Sequence, residues 1–202
     1  MGSGPSPLTG FAGAFQRLLT ALDLLGIPYL VGGSVASGTY GLPRQTNDID
    51  IVADFSNADL QAFCRSLQAE FYLDTDNAER AVAMGRPFNA IHMKGAFKFD
   101  FFPAKSGFTK VELSRKRYIV SSMPGLEKIR FPVSSPEDTI LAKLVWFQDG
   151  GEVSDRQWHD ILGVLSVQSG RLDPDYLSQW ASKLGVSDLL RRAFVDLGGR
   201  VD

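Results

Sequence analysis

Val31-Gly32-Gly33-Ser34, followed after a short interval by Asn47-Asp48-Ile49-Asp50-Ile51-Val52, is the stretch on which the reading of this chain turns. The first piece has the character of a strand end that passes through two glycines into a helix. The second places two carboxylates one residue apart in a run of isoleucine and valine. Side chains alternate between the faces of a strand, so Asp48 and Asp50 share one face while Ile49 and Ile51 share the other. The Cα atoms of the two acids would lie roughly 6.5 Å apart at about 3.3 Å per residue. Two charges at about that separation repel by roughly 2.5 kcal/mol at an effective dielectric near 20. A divalent cation between them turns that repulsion into a binding site, and a glycine turn at a helix start offers free backbone N–H groups that suit phosphate. Metal beside phosphate is the chemistry of nucleotide transfer.

The chain has 202 residues, enough for one domain, or for one domain with a small appendage and a substantial core. Its 44% hydrophobic and 22% charged content is that of an ordinary globular protein. The net charge of −2 gives no global field to attract nucleic acid, so any such contact must come from local patches. Arg115-Lys116-Arg117 and Arg191-Arg192 are the candidates, and a solvated face is the better expectation for each. The single cysteine, Cys64, excludes an intrachain disulfide and fits a reducing, cytoplasmic setting. Cys64 itself falls with Leu60, Phe63 and Leu67 on an apolar helix face and is expected in the core. No apolar run is long enough to span a membrane. Residues 1–8 read as a disordered or vector-derived start that takes no part in the fold.

Phe11, Phe15, Leu18, Leu19, Leu22 and Leu25 recur at helical spacing up to Gly26. A short strand over Pro28–Val31, a glycine turn, a short helix from Ser34 to Tyr40 and a polar loop lead to the acidic strand. Ser56 is expected to cap the next helix, and Asp76 another that ends at Gly85. Phe88, Ala90-Ile91 and Met93, a Lys94-Gly95 turn, and the alternating Phe97, Phe99 and Phe101 predict a hairpin. Val111–Val120 and Ile129–Val133 are further strand candidates. Beyond them Ser135-Pro136-Glu137-Asp138 is a strong helix start, and Ser154, Asp173-Pro174 and Ser187-Asp188 begin three more helices. Residues 9–133 therefore read as a mixed α/β catalytic domain, a short mixed sheet flanked by helices, and residues 134–202 as a C-terminal helical bundle.

Within Lys98-Phe99-Asp100-Phe101-Phe102 the phenylalanines 97, 99 and 101 point one way, Lys98 and Asp100 the other. An acid in so aromatic a strand calls for a partner: either a salt bridge to a nearby Lys or Arg, or a metal. Beside Asp48 and Asp50, metal is favoured. Three carboxylates from two adjacent strands are hard oxygen donors suited to Mg²⁺, one ion or two, with Mn²⁺ able to substitute. Asp48 and Asp50 would bridge the ions, and Asp100 would hold the nucleophile-side ion and accept the hydroxyl proton.

The glycine turn Gly32-Gly33-Ser34, the interval 35–47, the Asp48-Ile49-Asp50-Ile51 strand and the later Asp100 together resemble the nucleotidyltransferase superfamily related to DNA polymerase β. Ser135-Pro136-Glu137-Asp138 with Lys143, and Asp155-Arg156 with His159-Asp160, extend the likeness toward the abortive-infection-type (AbiEii-like) nucleotidyltransferases. The segment with Arg44, Thr46 and Asp48-Ile49-Asp50 is also similar to small aminoglycoside nucleotidyltransferases. The resemblance implies a nucleotidyltransferase fold and an enzyme that moves a nucleoside monophosphate from an NTP such as ATP. The acceptor is open: tRNA, a protein side chain or a small molecule. A toxin with an antitoxin partner and a drug-modifying enzyme are the two settings; a non-catalytic nucleotide-binding module of the same fold is the other class. By the likeness, Lys143 would touch the triphosphate and Asp160 would steady that lysine or the bundle.

Gly32, Gly33 and Ser34 are the candidate phosphate cradle, with Ser34 read both as phosphate donor and as helix N-cap. Arg44 and Thr46, in the loop before the acids, are positioned to contact phosphate, with a solvated arginine as the plain alternative. His92 and His159 are too isolated to form a metal pair, and Trp146, Trp158 and Trp180 fall on helical stripes as core residues. A tRNA acceptor would need steering by Lys98, Lys105, Lys110, Arg115, Lys116 and Arg117; a drug acceptor would want an acidic cleft, for which Glu112, Glu137 and Asp149 are candidates. A Rossmann site is a poor fit, because there is no G-x-G-x-x-G, and a P-loop is excluded, because no Gly-Lys-Ser/Thr follows the turn.

Overall fold

The computed structural model describes residues 10–198 apart from 45, 47 and 106. The start set aside above, and Asn47 of the acidic motif, lie outside the described residues. The order is α1 (Gly10–Leu24), β1 (Tyr29–Val31), α2 (Gly33–Tyr40), β2 (Asp48–Ala53), α3 (Asn57–Leu67), β3 (Phe71–Tyr72) and α4 (Thr75–Met84). The hairpin β4 (Phe88–His92) and β5 (Phe97–Pro103) follows, then α5 (Gly107–Arg115), β6 (Arg117–Val120) and β7 (Arg130–Val133). The chain closes with α6 (Pro136–Asp149), α7 (Asp155–Val167), α8 (Pro174–Leu184) and α9 (Ser187–Gly198).

Among the described residues the strands form one seven-stranded mixed sheet in the order β3-β4-β5-β2-β1-β7-β6. Its centre positions the site. β2 runs antiparallel to β1 and parallel to β5, in a register that sets Asp48 opposite Lys98 and Asp50 opposite Asp100. Alternation then sorts the side chains as the sequence predicts. Ile49, Ile51, Phe99 and Phe101 are fully buried in the large cluster under α1, α3 and α4, where Phe55, Phe63 and Phe88 ring Phe101. The acids face the other way, toward α2 and the C-terminal helices. There a second cluster joins α6, α7, α8 and α9 around Leu141, Leu144, Ile161 and Leu165 and takes in Phe108 of α5. Cys64 is buried in the first cluster.

The helix starts follow their capping residues. Ser56 and Asp59 form a reciprocal capping box, and Ser135, Ser154 and Asp173 each accept a backbone N–H of the first turn. Asp74, not Asp76, caps α4, because its carboxylate reaches the Asn77 N–H. Ser34 lies inside α2; Gly32 holds the cap position and no side chain caps it. The segment expected as a strand from Val111 is instead the end of α5, and only Arg117–Val120 is extended. Phe108, Glu112 and Leu113 fall on the buried side of that short helix, a helical spacing obscured by the acid in its middle. The short strand β3 has no counterpart in the sequence reading; two residues are too few to show a period.

Of the basic run, Arg117 is exposed as expected of a solvated face, whereas Arg115 and Lys116 are engaged within the protein. Arg115 bridges Glu137 and Asp138 of α6, each at 3.2 Å, with its guanidinium over the Tyr176 ring. Lys116 donates to the Tyr29 carbonyl at 3.2 Å. Arg191 and Arg192 are exposed and paired along their own helix with Asp188 and Asp196. His92 is packed on Phe71 and Phe97, and His159 sits on the surface with Nδ1 2.7 Å from the Asp155 carbonyl. Trp158 is buried as expected, whereas Trp146 and Trp180 are only half-buried. Among the described residues, no helix is long and apolar enough to cross a membrane.

Candidate active site

The site is built where the end of β1, the starts of β2 and β5, and the helices α2, α6 and α7 meet. The Gly32 N–H donates to the Asp50 carbonyl at 2.9 Å, which ties the glycine turn to the acidic strand. Gly33 has φ +53°, and a Cβ there would lie 1.7 Å from Asp50 Oδ2. The backbone angle favours glycine, and any side chain there would displace the Asp50 carboxylate from its present position. Asp50 is pressed against the N-terminus of α2.

Asp48, Asp50 and Asp100 line one cavity of about 480 Å³ together with Ser34, Arg44 and Arg156. Burial first, and then the neighbouring Asp100 carboxylate, push the Asp50 carboxyl up to about 6; Lys143 pulls it down and Asp48 adds to the rise. Asp48 is exposed at the mouth. Of the two partners weighed for Asp100, the structure shows the salt bridge, with Lys98 Nζ 2.9 Å from its Oδ2, while Asp48 and Asp50 share its cavity. In kind, the donor set fits a divalent cation, since three carboxylates on one sheet face offer hard oxygens and repel one another without a positive charge. In their present rotamers they are not closed into a shell: among the described residues no group of three or more His, Cys, Asp or Glu is assembled to hold a metal.

The opposite wall is cationic and tightly knit. Asp160 of α7 accepts from Arg44 Nε at 3.0 Å and Nη2 at 3.1 Å, and from Lys143 Nζ at 2.8 Å. Arg44 Nη2 also donates to Ser34 Oγ. Burial works against the Asp160 charge, but the hydrogen bonds from Arg44 and Lys143 hold its carboxyl below the usual range. Lys143, whose plain alternative was a surface lysine, is buried with its side chain only 4% exposed. Lys143, Arg44 and Ser34 line a further cavity of about 520 Å³ with Arg156 and Trp146, and this cavity shares Asp50 with the carboxylate site. Thr46 lies at the mouth, its hydroxyl 3.0 Å from the Asp48 carbonyl.

The structure thus gathers Gly32, Gly33, Ser34, Arg44, Thr46, Asp48, Asp50, Asp100 and Lys143 around one cleft. Of the three acids expected to line an acceptor cleft, Glu112 lines a cavity that it shares with Asp50, whereas Glu137 is bound to Arg115 and Asp149 is exposed at the far end of α6. Arg156 and Trp146 are the additions. Arg156 sits in the first turn of a helix whose cap, Ser154, was legible, but which way that turn faces depends on how α7 packs on α2.

No family model and no curated protein sequence matches the chain. Solved structures do. A lincosamide antibiotic adenylyltransferase, LnuA, with lincomycin bound superposes with a TM-score of 0.50 at 16% identity, over 79% of this chain and 99% of that one. ANT(2″)-Ia in complex with adenylyl-2″-tobramycin gives 0.52 at 12% identity, over 86% and 96%. An antigenic nucleotidyltransferase-like protein from Paracoccidioides brasiliensis gives 0.54 at 16% identity, over 95% and 93%. The chain has the nucleotidyltransferase fold. Within that nucleotidyltransferase fold the glycine turn and the acidic strand are not distant motifs but hydrogen-bonded neighbours, and the helical segment supplies the facing wall of the same cleft.

Proposed function

We propose that the protein is a divalent-metal-dependent nucleotidyltransferase that moves a nucleoside monophosphate from an NTP to a hydroxyl of a small molecule. The observation that carries this reading is the parallel register of β2 and β5, which sets Asp50 beside Asp100 on the face that looks onto the α2 N-terminus and Lys143. Asp48, Asp50 and Asp100 would hold Mg²⁺, which when bound neutralises phosphate charge and lowers the pKa of the attacking hydroxyl. The chain's own groups do the rest. The α2 N-terminus offers backbone N–H groups to phosphate, and Arg156 and the Lys143–Arg44 pair add positive charge to that wall. The acceptor oxygen attacks the α-phosphorus, the bond to the β-phosphate oxygen breaks, pyrophosphate leaves, and the hydroxyl proton passes to Asp100.

A small-molecule acceptor is supported by the space on the open side of the acids. A cavity of about 870 Å³ shares Asp48, Arg44 and Thr46 with the carboxylate site and is walled by Phe11, Phe97 and Met123. Two structures of like fold carry an antibiotic or an adenylylated antibiotic. Of the six basic residues that would steer a tRNA acceptor, Arg115 and Lys116 are engaged inside the protein, which leaves Lys98, Lys105, Lys110 and Arg117 exposed. The test is pyrophosphate release with Mg²⁺ and each of four NTPs, in the presence of lincosamides, aminoglycosides or total tRNA. Release that needs an antibiotic-type acceptor and is lost in Asp48→Asn supports the reading. Labelling of tRNA alone would make the toxin of a toxin–antitoxin pair the better one, and no turnover with any acceptor would leave a nucleotide-binding module.

A further inference from the structure

Glu112 is a buried acid to which the proposed chemistry gives no task. It lies on α5, 3% exposed, and among the described residues its carboxyl receives a hydrogen bond from Ser134 Oγ at 2.8 Å. It lines a cavity of about 590 Å³ whose other walls include Gly33, Asp50, Phe102, Phe108 and Trp146. This cavity meets the cation-lined one at Asp50 and Trp146, so the two form consecutive chambers on either side of the glycine turn. One chamber has the charge that phosphates require. The other has aromatic walls, with the Trp146 and Phe102 rings 5.0 Å apart; of its three ionisable groups Asp50 is shared with the neighbouring chamber, Lys105 is exposed and Glu112 is buried.

We infer that the aromatic chamber receives the nucleoside of the bound triphosphate, with its base against Trp146 and the hydrogen-bonding edge of the base at Glu112. The inference deepens the nucleotidyltransferase reading and rests on it for the identity of the ligand. A nucleobase is flat and stacks on an indole, and its edge carries a donor and an acceptor side by side. Burial, reinforced by Asp138 and opposed by the Ser134 bond, lifts the Glu112 carboxyl to about 8, so it keeps its proton at neutral pH. A protonated carboxyl also carries one donor and one acceptor side by side and can answer that edge.

The experiment compares ATP, adenosine and inorganic tripolyphosphate by calorimetric titration of the full chain without acceptor. Glu112→Leu should weaken ATP about tenfold and leave tripolyphosphate unchanged, because one buried hydrogen-bonded edge is worth roughly that factor. Glu112→Gln, which keeps a donor and an acceptor in the same shape, should bind ATP within about threefold of the parent. Ala142→Phe, which fills the chamber from α6, tests the same space without touching the acid and should also spare tripolyphosphate. The inference is overturned if ATP binds Glu112→Leu and Ala142→Phe as tightly as the parent, if tripolyphosphate falls in step with ATP, or if the parent gains nothing from the nucleoside. A protein that shows the Glu112 dependence yet releases no pyrophosphate overturns the proposed activity and leaves the nucleoside chamber standing.

Discussion

Asp50 and Asp160 are both aspartates within one cleft, and they differ in what surrounds them. Asp160 accepts hydrogen bonds from two cations, Arg44 and Lys143, and is held below its ordinary pKa. Asp50 is buried among carboxylates and pushed up to about 6. The first site is complete within the protein, because its charge is matched by its own neighbours. The second sets three carboxylates beside one contacting cation, Lys98 at Asp100, and keeps an excess of negative charge that an added cation would balance. The contrast separates an aspartate whose counter-ions the protein supplies from one that awaits a cation, although the two are the same residue type.

The sharpest way to break this contrast is to exchange the chemistry of each aspartate for its amide or a methyl. Asp50→Asn should reduce nucleotidyl transfer by on the order of 10³-fold, since it removes a metal-binding oxygen that acts in the transition state. Its melting temperature should stay level or rise, because one of several repelling carboxylates is gone; a clear fall would show that Asp50 is structural instead. Asp160→Ala should do the reverse, costing about 3 kcal/mol in urea unfolding by leaving Lys143 and Arg44 without their anion. Full stability in that variant would mean that the cationic wall is held by something else.

A third expectation concerns Glu112. Its folded pKa of about 8 lies above its ordinary 4.5, so its contribution to stability is complete below pH 4.5 and is lost as pH rises toward 8. Unfolding free energy should fall by on the order of 5 kcal/mol across that window, and Glu112→Gln should flatten the profile. The smallest effect is assigned to Lys98, exposed beside Asp100. Lys98→Met should change stability by less than about 0.5 kcal/mol and tighten Mn²⁺ binding about threefold, because the lysine no longer competes for Asp100. Unchanged Mn²⁺ affinity, read by electron paramagnetic resonance, would remove Asp100 from the metal site.

The carboxylate wall was legible because it is written in local periods. Asp48 and Asp50 at alternate positions, and Asp100 between phenylalanines, declare a shared face before any fold is known. Their pairing was less so: the register that joins Asp50 to Asp100 spans fifty residues and depends on a hairpin and two helices between them. The opposite wall is almost wholly non-local. That Arg44 reaches Asp160 follows from the packing of α2 on α7, which no periodicity announces. Resemblance to known families brought Lys143 and Asp160 forward; nothing in the run Leu141–Leu144 says that the lysine is buried. Glu112 was hidden for the opposite reason, since an acid in a short, weakly patterned helix conceals the spacing of Phe108 and Leu113 and made α5 look extended.

The helix α2 is held by backbone contacts at both ends. Just before it the Gly32 N–H donates to the Asp50 carbonyl at 2.9 Å, and just after it, at Gly41, an added Cβ would come within 2.8 Å of the Gly163 and Val164 backbone of α7. Its eight residues thus act as a strut of about 12 Å that fixes the gap between the acidic strand and the helical wall. A strut without slack leaves little room for the cleft to gape and shut around a hinge. Nucleotide should enter by rotation of side chains alone. Scattering profiles with and without bound NTP should therefore superimpose, and capture should be fast, with no slow step that saturates as ligand concentration rises.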